Sequence, residues 1–134
     1  LNHDMGPHFW KEAELDPNLP TIVIAEGLIH YLEPEIYAAL LGSFRFFENE
    51  RSFIFSFITP DMVTNARTSL KFLFGYLQEF PSLFFSNIEM EQVLKDNGFR
   101  GVEILEIADQ IDRFVPQARN RIMNVSQNVG LATK

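Results

Sequence analysis

Glu26 and Gly27 interrupt two apolar runs, and they are the first residues of this chain whose types and spacing suggest chemistry. Thr21-Ile22-Val23-Ile24-Ala25 precedes them, and Leu28-Ile29-His30-Tyr31-Leu32 follows, so a carboxylate, a free-turning residue, an imidazole and a phenol are gathered in one short stretch. A mostly β-branched run of this kind suits a strand buried on both faces of a parallel sheet. Glycine allows the chain to turn sharply where the strand stops. In open parallel sheets, ligands bind at the carboxyl ends of strands, which is where Glu26 falls. The other reactive types are less organised. His3 and His8 lack a supporting ligand, so no metal site is expected. Glu89 and Glu91 read as solvated charges at a helix start, and Asp4, taken alone, as a surface or turn residue.

Positioning these residues calls for an α/β arrangement. Leu1 to Pro20 is broken by Gly6, Pro7, Pro17 and Pro20 and reads as loop, with at most a short helical turn over Phe9 to Glu14 and Trp10 as its anchor. Pro34 between Glu33 and Glu35 is a good helix start: proline needs no donor there, and the acids face the positive end of the dipole. The helix is predicted over Glu35 to Phe47, with Ile36, Leu40, Phe44 and Phe47 on one stripe. Ser52 to Ile58 reads as a second strand, apolar on both faces and covered on both, with Phe53, Phe55 and Phe57 sharing one of them. Asp61 to Tyr76 looks helical and begins a helical insertion over residues 61–86. Its aromatic residues Phe72, Phe74, Tyr76, Phe80, Phe84 and Phe85 are expected to pack a core, with an apolar substrate pocket as the alternative. Ser86 and Glu89 form a capping-box pattern before a helix that ends at Asn97-Gly98 and turns Val93 and Leu94 inward. Val102 to Ile107 is a third strand and Ile111 to Val115 a fourth; the tail from Gln117, with Arg119 and Arg121, is expected to fray.

Composition narrows the function classes. The chain has 134 residues, 46% hydrophobic with 14 Phe, enough for a core in one domain or part of one. A net charge of -7 argues against nucleic-acid binding, which needs a basic face. With no cysteine, disulfides and thiolate metal sites are excluded, and a cytoplasmic location is expected. No apolar run approaches the roughly 20 residues of a membrane span, and the first residues lack a signal-peptide plan. Leu1 in the place of Met suggests a chain that begins within a longer protein.

The order strand, helix, strand, helical insertion, helix, strand, strand resembles the second half of a Rossmann-like class I methyltransferase. Asp4-Met5, Trp10 and the run Leu19-Pro20-Thr21 through Glu26-Gly27 to Tyr31-Leu32 resemble the leucine carboxyl methyltransferase-like family, which includes O-methyltransferases of polyketide biosynthesis. That family shows an Asp-Leu pair, a Trp, Pro-Thr, an apolar strand and Glu-Gly-x-x-x-Tyr-Leu. Phe84-Phe85-Ser86-Asn87 and Leu94 through Gly98-Phe99 resemble its closing helix. The resemblance implies S-adenosylmethionine as cofactor, with Asp4 accepting from the adenine amino group beside the Met5 backbone. It places Glu26 and Gly27 by the methionine end and ribose, and Tyr31 in the reaction cleft. A carboxylate and an aromatic face both stabilise positive charge nearby. The acceptor would be a small molecule offering a carboxylate or a hydroxyl; only a hydroxyl profits from a general base. His30 stands where the family often has an apolar residue, and is either that base or a packed ring.

One part of the pattern is missing. Such an enzyme needs a glycine-rich turn after its first strand, and the seven glycines here are scattered with no Gly-x-Gly. The expectation is therefore a single partial domain over residues 1–134: the C-terminal half of a methyltransferase sheet, inactive alone. At about 25 cal/mol per Å2, a few hundred Å2 of sheet left uncovered forgoes several kcal/mol. Self-association or strand exchange is expected to follow from it. A non-catalytic, dimerising methyltransferase-like module is the rival reading, and another Rossmann-like enzyme with a different ligand a third.

Overall fold

The computed structural model describes residues 7–65, 82–114 and 127–134. In chain order the elements are α1 (Pro7–Glu12), β1 (Thr21–Ala25), a 3-10 turn (Ile29–Tyr31), α2 (Pro34–Ser43) running into a second 3-10 turn (Phe44–Phe46), and β2 (Arg51–Phe57). Then come α3 (Pro60–Asn65), α4 (Asn87–Asp96), β3 (Gly101–Leu105), α5 (Ile107–Phe114) and β4 (Asn128–Thr133). None of the described helices is long and apolar enough to cross a membrane.

The four strands form one sheet in the order β1-β2-β4-β3. β1 and β2 are parallel, pairing Thr21 with Arg51 through Ala25 with Phe55. β4 runs antiparallel to both of its neighbours, β2 and β3. Paired side chains share a face, so Val23, Ala25, Phe53, Phe55, Phe57, Ala132, Val102 and Ile104 line one side, toward the helices.

That side is an aromatic core. Phe44, Phe47, Phe53, Phe55, Phe57 and Phe99 are buried with Met90 and Leu94. Phe53 stacks on Phe55 at 4.8 Å, and Phe44 meets Phe53 and Phe99 at 5.0 and 5.3 Å, in the offset and edge-on geometries that ring quadrupoles favour. Trp10 anchors α1 by donating from Nε1 to the Ser43 hydroxyl at 2.7 Å. The capping box of α4 is formed: Glu89 N–H donates to Ser86 Oγ at 3.3 Å, and Ser86 N–H to the Glu89 carboxylate at 2.8 Å. Gly98, at φ +90°, closes that helix in a conformation side chains resist.

Five expectations need correction. β1 has one wet face: Ile22 and Ile24 are 66% and 67% exposed, because the described helices pack against its Val23 side and no described element covers the other. β2 shows the same asymmetry more mildly, with Ser52 and Ile54 half-buried. The segment read as a fourth strand from Ile111 is the helix α5, since Ile107, Ile111 and Phe114 follow the helical period rather than alternation, and β3 accordingly stops at Leu105. The last residues do not fray. They form β4, where Gly130 and Ala132 are small because the Phe55 and Phe53 rings already fill the space over them. The predicted helix from Glu35 to Phe47 tightens to a 3-10 turn after Ser43. Of the proposed insertion, α3 and residues 82–86 are described; Phe72, Phe74, Tyr76 and Phe80 lie outside the described residues, as do Arg119 and Arg121.

Candidate functional site

The carboxyl ends of β1 and β2 lie side by side, and the chain leaves β1 through Glu26 and Gly27 as predicted. Gly27 sits at φ +66°, and a Cβ built there would meet nothing within 4 Å among the described residues, which leaves its backbone open on that side. The turn is held from below. Gly27 N–H donates to Ser56 Oγ at 2.8 Å, and that hydroxyl in turn donates to Gln127 Oε1. Ser56, near the end of β2, thus ties the Glu26–Gly27 turn to the neighbouring strand. Glu26 itself is exposed, a carboxylate presented to solvent on a pinned backbone.

His30 and Tyr31 follow in the 3-10 turn. The His30 ring is 2% exposed, and its Nδ1 has no hydrogen-bond partner among the described residues. Burial disfavours the charged form, so the imidazole is held below its usual pKa and is neutral at pH 7. The Tyr31 ring lies 4.3 Å from it and is 40% exposed. The backbone of this turn is stapled to the segment that returns from the insertion. Ser82 and Leu83 N–H both donate to the His30 carbonyl, at 2.7 and 3.3 Å, and Ser82 Oγ donates to the Leu32 carbonyl at 3.0 Å.

The polar rim continues along the same end of the sheet. Asn128, the first residue of β4, is 3% exposed and donates from Nδ2 to Asn87 Oδ1 at 2.9 Å; Asn87 Nδ2 donates to Glu106 at 2.7 Å. These side chains tie the start of α4 to the start of β4 and the end of β3. Ser56, Glu106, Gln127 and Asn128 are not singled out by the sequence, and Asn87 enters there only as part of the closing-helix resemblance. Ser56 carried a faint signal as the polar residue within the apolar run of β2, but its partners are distant along the chain.

The arrangement can set an exposed carboxylate against a cationic ligand at a strand exit, with a neutral imidazole and a phenol immediately after it. Among the described residues no group of three or more His, Asp or Glu is placed to hold a metal ion. Asp4 and Met5 lie outside the described residues. Of the aromatic cluster, Phe85 packs against the core, 5.4 Å from the Tyr37 ring, as the core reading expects.

No family model and no curated protein sequence matches the chain. Solved structures do. A SAM-dependent methyltransferase from Archaeoglobus fulgidus aligns over 100% of this chain and 66% of its own, at 16% identity and a TM-score of 0.58. A DUF574 family protein from Streptomyces avermitilis aligns over 98% of this chain and 53% of its own, at 13% identity and TM-score 0.66. A protein described as a candidate O-methyltransferase from Nostoc punctiforme aligns over 84% of this chain and 31% of its own, at 17% identity and TM-score 0.52. The chain thus spans between 31% and 66% of the length of these structures. The sheet, with its strand exit at Glu26, has the fold of the C-terminal half of a Rossmann-like class I methyltransferase.

Proposed function

We propose that this chain forms the C-terminal wall of the cofactor cleft of an S-adenosylmethionine-dependent O- or carboxyl-methyltransferase of the leucine carboxyl methyltransferase-like type, working in the cytoplasm, and that it does not catalyse alone. The observation that carries this reading is the pinned Glu26–Gly27 turn at a strand exit, in a fold shared with SAM-dependent methyltransferases. The residues present fit one wall of such a cleft: an exposed carboxylate, an unobstructed glycine backbone and a half-exposed tyrosine. When bound, S-adenosylmethionine supplies a methyl group activated by a positively charged sulfur.

Glu26 would hold the cationic methionine end by charge, and the Gly27 backbone would let the ribose approach. Asp4 and Met5 would hold adenine, an assignment that rests on the sequence resemblance. Tyr31 would face the reacting centre, where an aromatic ring stabilises positive charge. The chain's main contribution is positioning, which suits an in-line displacement. A hydroxyl acceptor must lose its proton as the new O–C bond forms. His30, 2% exposed with Nδ1 buried, lies out of an acceptor's reach in this chain and acts here as a packed ring; a carboxylate acceptor needs no base.

Isothermal calorimetry tests the reading. The 134-residue chain is expected to show no saturable binding of S-adenosylmethionine, and a chain extended upstream by a glycine-rich strand-turn-helix to bind it. Glu26→Ala should abolish the restored binding. Tight binding by this chain alone would refute the divided cleft, and full binding by the extended Glu26→Ala variant would refute the site.

A further inference from the structure

We infer that Ser56 is a positioning residue for the cofactor: its hydroxyl stands in for the next backbone acceptor of the β1–β2 ladder and so fixes where the Glu26 carboxylate leaves the sheet. The inference rests on the reading of Glu26 as the group that meets the cationic methionine end. The ladder shows what the hydroxyl replaces. Thr21 N–H donates to the Glu50 carbonyl at 3.0 Å, while Thr21 itself is paired with Arg51. In a parallel ladder every second residue aims its N–H in this way, at the carbonyl one step before its partner. The register runs unbroken to Ala25 opposite Phe55, so the next inward amide is that of Gly27, and the next acceptor in line is the Ser56 carbonyl. Gly27 N–H donates instead to the Ser56 hydroxyl at 2.8 Å. β1 ends at Ala25, and Gly27 takes φ +66°, far from any strand conformation. The chain therefore leaves the sheet with its first off-ladder amide still satisfied.

The hydroxyl is itself oriented. Ser56 is 5% exposed, and while it accepts from Gly27 it gives its own proton to Gln127 Oε1. Its donor and acceptor roles are both in use, so it cannot turn without breaking one of the two bonds. The effect on a ligand is indirect, through Gly27 and the adjoining Glu26, which is exposed. Take the hydroxyl away, and the Gly27 amide falls back on the ladder carbonyl or on water. The first outcome lengthens β1 and the second frees the turn; both displace Glu26. Attraction between a carboxylate and a cation weakens with distance, so the cationic end of the cofactor registers that displacement. Adenine and ribose carry no positive charge for Glu26 to hold.

Calorimetry on the upstream-extended chain tests this with two probes, S-adenosylmethionine and 5′-methylthioadenosine, which keeps adenine and ribose but lacks the cationic methionine end. Ser56→Ala should weaken S-adenosylmethionine by roughly 3- to 10-fold, the worth of one hydrogen bond, and leave 5′-methylthioadenosine within about twofold. Ser56→Thr keeps the hydroxyl and should bind both probes as the wild type does. Gln127→Leu, at a half-buried position, releases the other end of the hydroxyl and should shift S-adenosylmethionine in the same direction as Ser56→Ala. Circular dichroism identifies a variant that has failed to fold, and Gln127→Leu then decides in place of Ser56→Ala. An extended wild-type chain that binds neither probe refutes the cofactor reading, and this inference with it. Where the wild type binds, undiminished affinity for S-adenosylmethionine in the folded variant overturns the inference alone. An equal loss on both probes overturns it too, since that marks Ser56 as a structural residue without a selective part in binding.

Discussion

Replacing Gly130 by alanine puts the position of β4 at risk in a single measurement. A methyl group built there lies 2.7 Å from both Cε atoms of Phe55, and nearer still to Cζ. Phe55 cannot simply swing away, because Phe53 stacks on it at 4.8 Å and Phe57 lies 5.8 Å off along the same face. Overpacking of this kind costs about 2–3 kcal/mol. The substitution also removes conformational freedom from the unfolded chain, which offsets about 0.5 kcal/mol. The net loss of about 2 kcal/mol corresponds to a Tm lower by roughly 6–10 °C for a chain of this size. Gly42, in α2, is the internal comparison: a Cβ there meets nothing within 4 Å among the described residues, so Gly42→Ala should raise Tm by about 2–4 °C. Phe55→Leu combined with Gly130→Ala should recover part of the loss, since the two positions share one contact. The assay is thermal melting by circular dichroism on the single and double variants. If Gly130→Ala raises Tm as Gly42→Ala does, the Phe55 ring is not over Gly130, and β4 does not lie beside β2 in the register described.

Three further predictions concern capping and titration. Ser86→Ala removes the acceptor for Glu89 N–H at the start of α4 and should destabilise the chain by about 1 kcal/mol in urea unfolding. Hydrogen bonds from the Ser86 backbone and hydroxyl hold the Glu89 carboxyl below its usual pKa, so their contribution is present at neutral pH and lost on acidification through that depressed pKa; Glu89→Gln should flatten this part of the acid profile. His30 is also depressed, by burial, so the folded chain binds fewer protons there than the unfolded chain. Stability should therefore be fully present above the ordinary histidine pKa and fall as pH drops through the lowered value, and His30→Gln should be less sensitive between pH about 7 and 5 by the same melts.

The elements that could be read from the sequence are those specified by neighbouring residues. β1 begins and ends where the β-branched run does, Pro34 opens α2, and Ser86 with Glu89 opens α4, because strand composition, a missing donor and a reciprocal cap are all local. The exit turn at Glu26 and Gly27 was legible for the same reason. What the chain hides is set by partners far along it. Nothing within Asn128 to Thr133 says strand, since Gly130 and Ala132 are small to suit rings on β2. Ile22 and Ile24 look like core residues until the described helices are seen to cover the Val23 side of β1. Ser56 looks like a flaw in an apolar strand until Gly27 N–H and Gln127 are brought to it. Ile111 was misassigned because a short apolar stretch fits alternation almost as well as the helical period.

The order of the strands also governs how the chain is built at the ribosome. β1 and β2 are close in sequence and can zip together as soon as both have emerged. Among the described residues β3 has a ladder with β4 alone, so a nascent chain lacks that ladder until residues 128–133 have cleared the exit tunnel. For that interval Val102 and Ile104 are exposed on an unpaired strand, and this is the stage of synthesis at which a chaperone would have most to protect.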